Sequence, residues 1–203
     1  FPIVDSLKHN IINADAVIWT TTPWTIPGNR AIAYGKDIEY SLYEITDSKE
    51  NLISRKENRI LIASDLSETV KTKCNIKDWK KLLTLKGSEL IGTECLHPLN
   101  GHGYDHKVTM HEGSFVGTDQ GSGLVHIAPA HGEDDYYLGL SFGIEIPDII
   151  DNKGVYRESV PLFSGQHVFK VGRSIIDKIK DCQNLLGEEE YIHSYPHSWR
   201  SKK

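Results

Sequence analysis

With 203 residues and a mass of 22.9 kDa the chain is long enough for one sizeable core, and 38% hydrophobic with 25% charged residues suits a packed domain rather than a disordered one. The formal net charge, 23 minus 28 or −5, excludes the broad basic surface of a protein that grips long nucleic acid, and leaves room only for a short contact with a strand end. No apolar run reaches the ~18 to 20 residues that cross a bilayer, no signal-like pattern opens the chain, and Cys74, Cys95 and Cys182 form neither a CxxC pair nor a disulfide framework, so an unexported, cytoplasmic domain is expected.

In chain order, the first half reads mainly as strands, because β-branched and aromatic residues cluster at Ala16 to Trp19, Ile38 to Ile45 and Arg59 to Ile62. Ser64-Asp65-Leu66-Ser67-Glu68 has a capping-box arrangement that predicts a short helix to about Cys74, with Ser64 as N-cap. Further strands are expected at Leu82 to Leu85, Lys107 to His111 and Gly123 to Ala128, around the turn-rich stretch Pro98 to Gly103. Acids at Glu133-Asp134-Asp135 followed by Tyr136 to Phe142 and then Gly143 predict a helix of about ten residues. Asp151 to Gly154 reads as a hairpin turn, and the spacing of Val168, Val171, Ile175, Ile176, Ile179 and Cys182 predicts an amphipathic helix ahead of Gly187. The fold class is therefore α+β and strand-rich, in one domain.

Two segments carry candidate chemistry. Trp19-Thr20-Thr21-Thr22-Pro23-Trp24-Thr25-Ile26-Pro27-Gly28-Asn29 follows a strand, and its prolines fix φ and make an irregular, rigid loop. Its threonine hydroxyls can donate and accept at once, Trp24 can wall a pocket and Asn29 can supply a placed amide; a plain Thr-rich strand and turn is the competing reading. Gly121-Ser122-Gly123-Leu124-Val125-His126-Ile127-Ala128-Pro129-Ala130-His131-Gly132-Glu133-Asp134-Asp135 groups two histidines and three acids around a strand, a turn and a helix start. Here three readings stand open: acids that merely complement a helix dipole, a metal site using His126, His131 and an acid, and a substrate pocket in which a carboxylate holds an ammonium while a histidine shapes side-chain space. The glycines do not form a dinucleotide fingerprint, no GxSxG elbow occurs, and His97, His167 and His193 read as structural or surface residues.

These two segments resemble the editing domains of isoleucyl-tRNA synthetases, whose motifs run WTTTPWT and GTG-x-VH-x-AP followed by a small loop and an acid. Ser122 stands where the family usually has threonine, and Thr22 stands where leucyl and valyl relatives typically carry arginine. The resemblance covers essentially the whole chain, including Ser194 to Arg200, although many relatives have cysteine at the positions of Ser198 and Ser201. It implies a barrel-like β core with a few peripheral helices, a single domain cut from a larger synthetase, and stretches 1–14 and 190–203 as linker strands to a catalytic body; the missing initiator Met agrees with such a piece. It implies hydrolysis of valyl-tRNA for isoleucine, with valyl-adenylate as an additional substrate, and no amino-acid activation, since HIGH-like and KMSKS-like signatures are missing. A second sieve is required because one methylene yields only about 1 to 3 kcal/mol of discrimination, the isoleucine and valine pair in this enzyme family being the standard illustration.

Residue by residue, the resemblance makes Asp135 the partner of the substrate ammonium and His126 the steric gate against isoleucine. Thr20, Thr21, Thr22 and Asn29 would orient ester, ribose or water, and Trp24 would form a wall. No cofactor or metal is implied for this step; ATP, with zinc as an option, would serve the parent enzyme outside this segment. The implied partners are the 3′ end of aminoacylated tRNA, valine and the rest of the synthetase chain, for a monomer that touches no membrane. The alternative is a module that binds the tRNA acceptor end without chemistry.

Overall fold

Alternation along the strands decides how the sheet is buried. In Ala31–Tyr34 the larger Ile32 and Tyr34 enter one apolar cluster while Ala31 and Ala33 enter another, so this strand is covered on both faces. The same holds for Arg59–Ala63, where Leu61 and Ala63 face the main core and Ile60 and Ile62 a second one.

The computed structural model describes residues 1–6, 8–9, 11, 13–48 and 58–189. The expected return segment from 190 onward, with His193, Ser198 and Ser201, lies outside them. The described strands are β1 (Pro2–Asp5), β2 (Ala14–Ala16), β3 (Ala31–Tyr34), β4 (Glu39–Ser48), β5 (Arg59–Ala63), β6 (Ile76–Lys86), β7 (Glu94–Leu96), β8 (Lys107–Glu112) and β9 (Leu124–Ile127). They form a single mixed sheet in the order β6-β4-β5-β2-β1-β7-β8-β3-β9, with β2 parallel to β5 and β3 parallel to β8. The helices are α1 (Ser67–Lys73), α2 (Glu133–Phe142) and α3 (Val168–Asp181).

The strand-rich α+β class holds, but the barrel is not closed: β6 and β9 are the two ends of the sheet order. A strong curl brings the entry of β9 back onto β5 and β4. Ala63 N donates to Ser122 O at 2.8 Å, and the Tyr40 hydroxyl donates to Gly123 O at 2.7 Å. The close approach requires glycine at 123, where φ is +78° and a Cβ would stand 2.3 Å from that of Ala63. The main core fills the concave side, and each helix seals a satellite cluster.

Helix α3 buries Val168, Val171, Ile175 and Ile179, the predicted three- and four-residue stripe, against Ile26, Leu99 and Tyr156; each such side chain is worth roughly 1.5 to 3 kcal/mol. His167 caps it by accepting from Phe169 N. Helix α2 starts and stops where its acids and Gly143, at φ 64°, predict. Other expectations shift. Ser64 does not cap a helix: it begins a 3-10 turn, its hydroxyl pairs with Ser41 Oγ at 2.7 Å, and α1 starts at Ser67. The strand expected over Leu82 to Leu85 extends to Ile76–Lys86, because pairing with β4 organises a polar stretch that lacks alternation of its own. The strand expected from Ala16 stops there, releasing 17–20 as irregular chain. Within the stretch 1–14, expected as a linker strand, β1 pairs with both β2 and β7, which leaves that expectation standing.

His97 is fully buried and structural. Its Nδ1 accepts from Leu99 N at 3.1 Å, which leaves Nε2–H to donate to Ile26 O at 2.9 Å, and Tyr104 stacks on the ring at 4.7 Å. Both nitrogens are used by the neutral form, and burial drives the pKa down to about 3.

Two outcomes follow from this packing. Gly123→Ala should lower unfolding free energy by about 2 kcal/mol or more, measured by urea denaturation, because both the positive φ and the contact with Ala63 oppose a side chain. An unfolded histidine takes up a proton below pH 6.5 while native His97 stays neutral, so this group's stability contribution is complete above 6.5 and falls as pH drops toward 3. Between pH 7.5 and 5 the wild type should therefore lose about 2 kcal/mol more than His97→Gln; equal losses would contradict the buried neutral ring.

Candidate functional site

The Thr-rich loop leaves β2, passes through Thr20 to Thr22 and enters a 3-10 turn at Pro23–Gly28, where the first proline's fixed φ suits the turn start. Thr22 N donates to Thr20 Oγ1 at 3.0 Å, and the two hydroxyls lie 3.2 Å apart. The loop is thereby folded on itself before any substrate is present. Asn29 closes the turn and hands the chain to β3.

Opposite it, β9 pairs with β3 in the register Ile32↔His126, which turns the His126 ring into the interior at 8% exposure. A directional chain of hydrogen bonds joins the two segments. Asn29 Nδ2, which also donates to Ala31 O at 2.9 Å, lies 3.4 Å from His126 Nδ1. An amide nitrogen only donates, so Nδ1 is the acceptor and Nε2 carries the proton. Nε2–H then donates to Thr25 Oγ1 at 2.9 Å, and the Thr25 hydroxyl passes its own proton to Thr22 O, also at 2.9 Å. Burial, and secondarily the nearby His131, lowers the His126 pKa to about 4, so the ring stays uncharged and this tautomer persists.

Asp135 sits in the first turn of α2, where the exposed N–H groups favour an anion. Ala128 N donates to its Oδ2 at 2.8 Å, and Gly132 leaves it room, since a Cβ there would meet the carboxyl carbon at 2.9 Å. Burial raises the carboxyl pKa and outweighs the lowering by the Ala128 amide. Among the described residues no cation pairs with it. A groove of about 540 Å³ is lined by Pro129, His131, Gly132, Glu133, Tyr136 and Asp148 among others, and Asp135 itself is not one of its lining residues.

The two predicted segments thus lie against each other. Trp24 meets the His131 ring edge-on at 5.2 Å, and Gly28 packs against the same ring. Asn29 and His126 are buried between the two segments and line neither cavity, with their polar atoms mostly committed to each other and to the loop. Thr20 and Thr21 face a second cavity of about 380 Å³, which Trp19, Lys73 and Ser122 also line. Two contacts here fall outside the sequence-based expectations. Thr25 links His126 to the loop, and only its place in the same segment hinted at this. His131, considered as a metal ligand, instead braces Trp24, and its Nε2 is buried without a partner. Among the described residues no three His, Cys, Asp or Glu side chains converge in a way that could hold a metal ion. No described helix is long and apolar enough to cross a membrane.

No protein-family model matches the chain. It is 43% identical over 202 residues to an isoleucine–tRNA ligase of Pelagibacter ubique, a match covering all of this chain and 22% of that protein. The corresponding protein of Gluconobacter oxydans is 41% identical over 215 residues, again with the whole chain and 22% of the relative. The chain therefore spans about a fifth of the length of the curated relatives it matches. Among solved structures it is similar to GlLeuRS-CP1, with a TM-score of 0.65 at 14% identity over 91% of this chain and 85% of that one. It is also similar to the Plasmodium knowlesi cytosolic leucyl-tRNA synthetase editing domain, with a TM-score of 0.60 at 11% identity over 84% and 82%. The chain belongs to the isoleucine–tRNA ligase family, as the counterpart of one segment of those proteins, and its fold is that of the synthetase editing domains.

Proposed function

We propose that this segment proofreads isoleucine tRNA by hydrolysing the ester that joins valine to the tRNA 3′ end, and that it clears valyl-adenylate at the same site. The observation that carries the reading is Asp135, a half-buried carboxylate with no cationic partner among the described residues, fixed at one oxygen by Ala128 N in the helix turn whose Gly132, Glu133 and Tyr136 line a groove. Desolvating an unpaired carboxylate is costly, and an arriving α-ammonium would relieve that cost with a charge-assisted hydrogen bond. Every aminoacyl ester carries such an ammonium, so this contact would hold the substrate without choosing between amino acids.

Selectivity needs a separate element. An uncharged, immobilised ring suits it, because a gate that excludes one methylene must neither move nor attract solvent. His126 meets these conditions through Thr25 and Asn29. In the hydrolysis a water molecule adds to the ester carbonyl, the bond to the ribose oxygen breaks, and valine and a free ribose hydroxyl result. Thr20, Thr21 and Thr22 supply hydroxyls and backbone amides to orient the water and stabilise the developing oxyanion, while Trp24, braced by His131, forms a wall. The terminal adenosine's own hydroxyl serves as the candidate base.

Asp135→Ala and Asp135→Asn should each lower kcat/KM for valyl-tRNA deacylation about a hundredfold or more, measured with purified chain and radiolabelled ester. Wild-type rates in both variants would sink the assignment. His126→Ala should admit isoleucyl-tRNA as a substrate, and a valine-to-isoleucine rate ratio unchanged from wild type would refute the gate.

A further inference from the structure

Charge is distributed unevenly along the chain. Residues 71 to 86 contain Lys71, Lys73, Lys77, Lys80, Lys81 and Lys86 against the single acid Asp78, a net +5, so the remaining residues carry 17 minus 27, or −10. These sixteen residues are the end of α1, the turn after it and all of β6, which lies at the edge of the sheet and has a single paired neighbour, β4. The basic charge is therefore concentrated on one hairpin-like unit of an otherwise acidic molecule.

The unit also carries an aromatic platform. Trp79 stacks on Tyr43 at 4.3 Å and 25°, Lys71 Nζ stands 5.5 Å from the Trp79 ring centre, and Lys81 Nζ 5.9 Å from that of Tyr43. Lys71, Lys80 and Lys81 have no carboxylate partner among the described residues, whereas Lys77 is held by Asp47 at 3.2 Å. Ammonium groups set over aromatic faces keep their charge available for a polyanion. The platform continues toward the proposed site. Lys73 lies 5.6 Å from the Trp19 ring centre, is joined to Glu189 at 2.6 Å, and lines the same cavity as Trp19, Thr20 and Thr21.

We propose that the α1–β6 edge is a docking surface for the phosphodiester backbone of the tRNA acceptor end, with Lys71 and Lys81 over the Trp79–Tyr43 pair and Lys80 on the opposite face of the edge strand as its phosphate contacts. Lysines without carboxylate partners fit RNA, whose phosphates are neutralised by ammonium groups with release of counterions. The choice of RNA rests on the proofreading reading above, but the surface makes a prediction that does not depend on hydrolysis. Phosphate contacts carry no sequence information, so this face would grip tRNA of any identity equally.

The test measures binding of uncharged isoleucine tRNA to the chain by fluorescence anisotropy at several salt concentrations, so that affinity is read without catalysis. The triple variant Lys71→Gln, Lys80→Gln, Lys81→Gln should weaken binding about tenfold or more and flatten the plot of log affinity against log salt by about 2 to 3 units. The corresponding triple change to arginine should keep both values, as should Lys170→Gln on α3. An unchanged salt slope in the glutamine variant, or equal weakening by Lys170→Gln, overturns the proposal and leaves these lysines as guards of an exposed sheet edge. An intact slope in a wild-type chain that releases no valine would instead sink the proofreading reading and leave this surface standing.

Discussion

The contact between Asn29, His126 and Thr25 fixes how the two candidate segments meet. Asn29 supplies a donor to Nδ1, Nε2–H donates to Thr25, and Thr25 donates to Thr22 O, so the shape of the Thr-rich loop is tied to the tautomer of one ring. A charged ring would have a proton on Nδ1 facing the Asn29 amide, two donors against each other in a dry interior. Burial, and secondarily the nearby His131, lowers the ring's pKa to about 4, and the donor arrangement likewise opposes a charged ring. The loop is consequently organised under all conditions in which the chain is folded and the ring neutral. Asn29 Oδ1 has no partner among the described residues, a cost that accompanies this arrangement.

The rest of the architecture serves to deliver these residues. His126 reaches Asn29 because β9 pairs antiparallel with β3 in one register, and a slip by a single residue would turn the ring to the other face and bring Val125 or Ile127 inward. The curl that sets Gly123 against Ala63 gives β9 its starting point. Asp135 is placed by α2, which is anchored through Leu138 to Ala31, Ala33 and Ile127, the outward face of the same two strands. The imidazole hangs from one face of the β3–β9 pair and helix α2 packs on the other, with the Asp135 carboxylate reaching round to Ala128 N at the end of β9. A disturbance of that pair would move both together.

Much of this was legible in the residues. Helices α2 and α3 carry their own punctuation, acids and Gly143 for one and the stripe of Val168, Val171, Ile175 and Ile179 for the other, so local chemistry defines them. The chemistry-bearing loops stood out because prolines, glycines, threonines and histidines cluster there without periodicity. What escaped was information held by partners distant in sequence. Only Leu82 to Leu85 reads as strand, and the polar residues before it join an eleven-residue strand, Ile76–Lys86, only through β4. Ser64 has the spacing of a helix cap, yet a better partner, Ser41, lies across the sheet. Thr25 looked like the tail of a Thr-rich stretch, and its role depends on His126, a hundred and one positions away.

Charge and selectivity are spatially separated in the reading developed above. A basic strip on α1 and β6 acts through phosphates and is indifferent to the amino acid, while Asp135 recognises an ammonium common to all aminoacyl esters. Neither contact can tell valine from isoleucine. Discrimination must then come from an uncharged and rigid element, and the strongly depressed pKa of His126 acquires a functional sense: a protonated gate would draw in water and lose its fixed outline. The acidic remainder of the molecule has a corresponding consequence. Its net negative charge disfavours RNA on average, so lysines gathered in one strip can set orientation, and a weak overall affinity is compatible with release of a correctly charged tRNA.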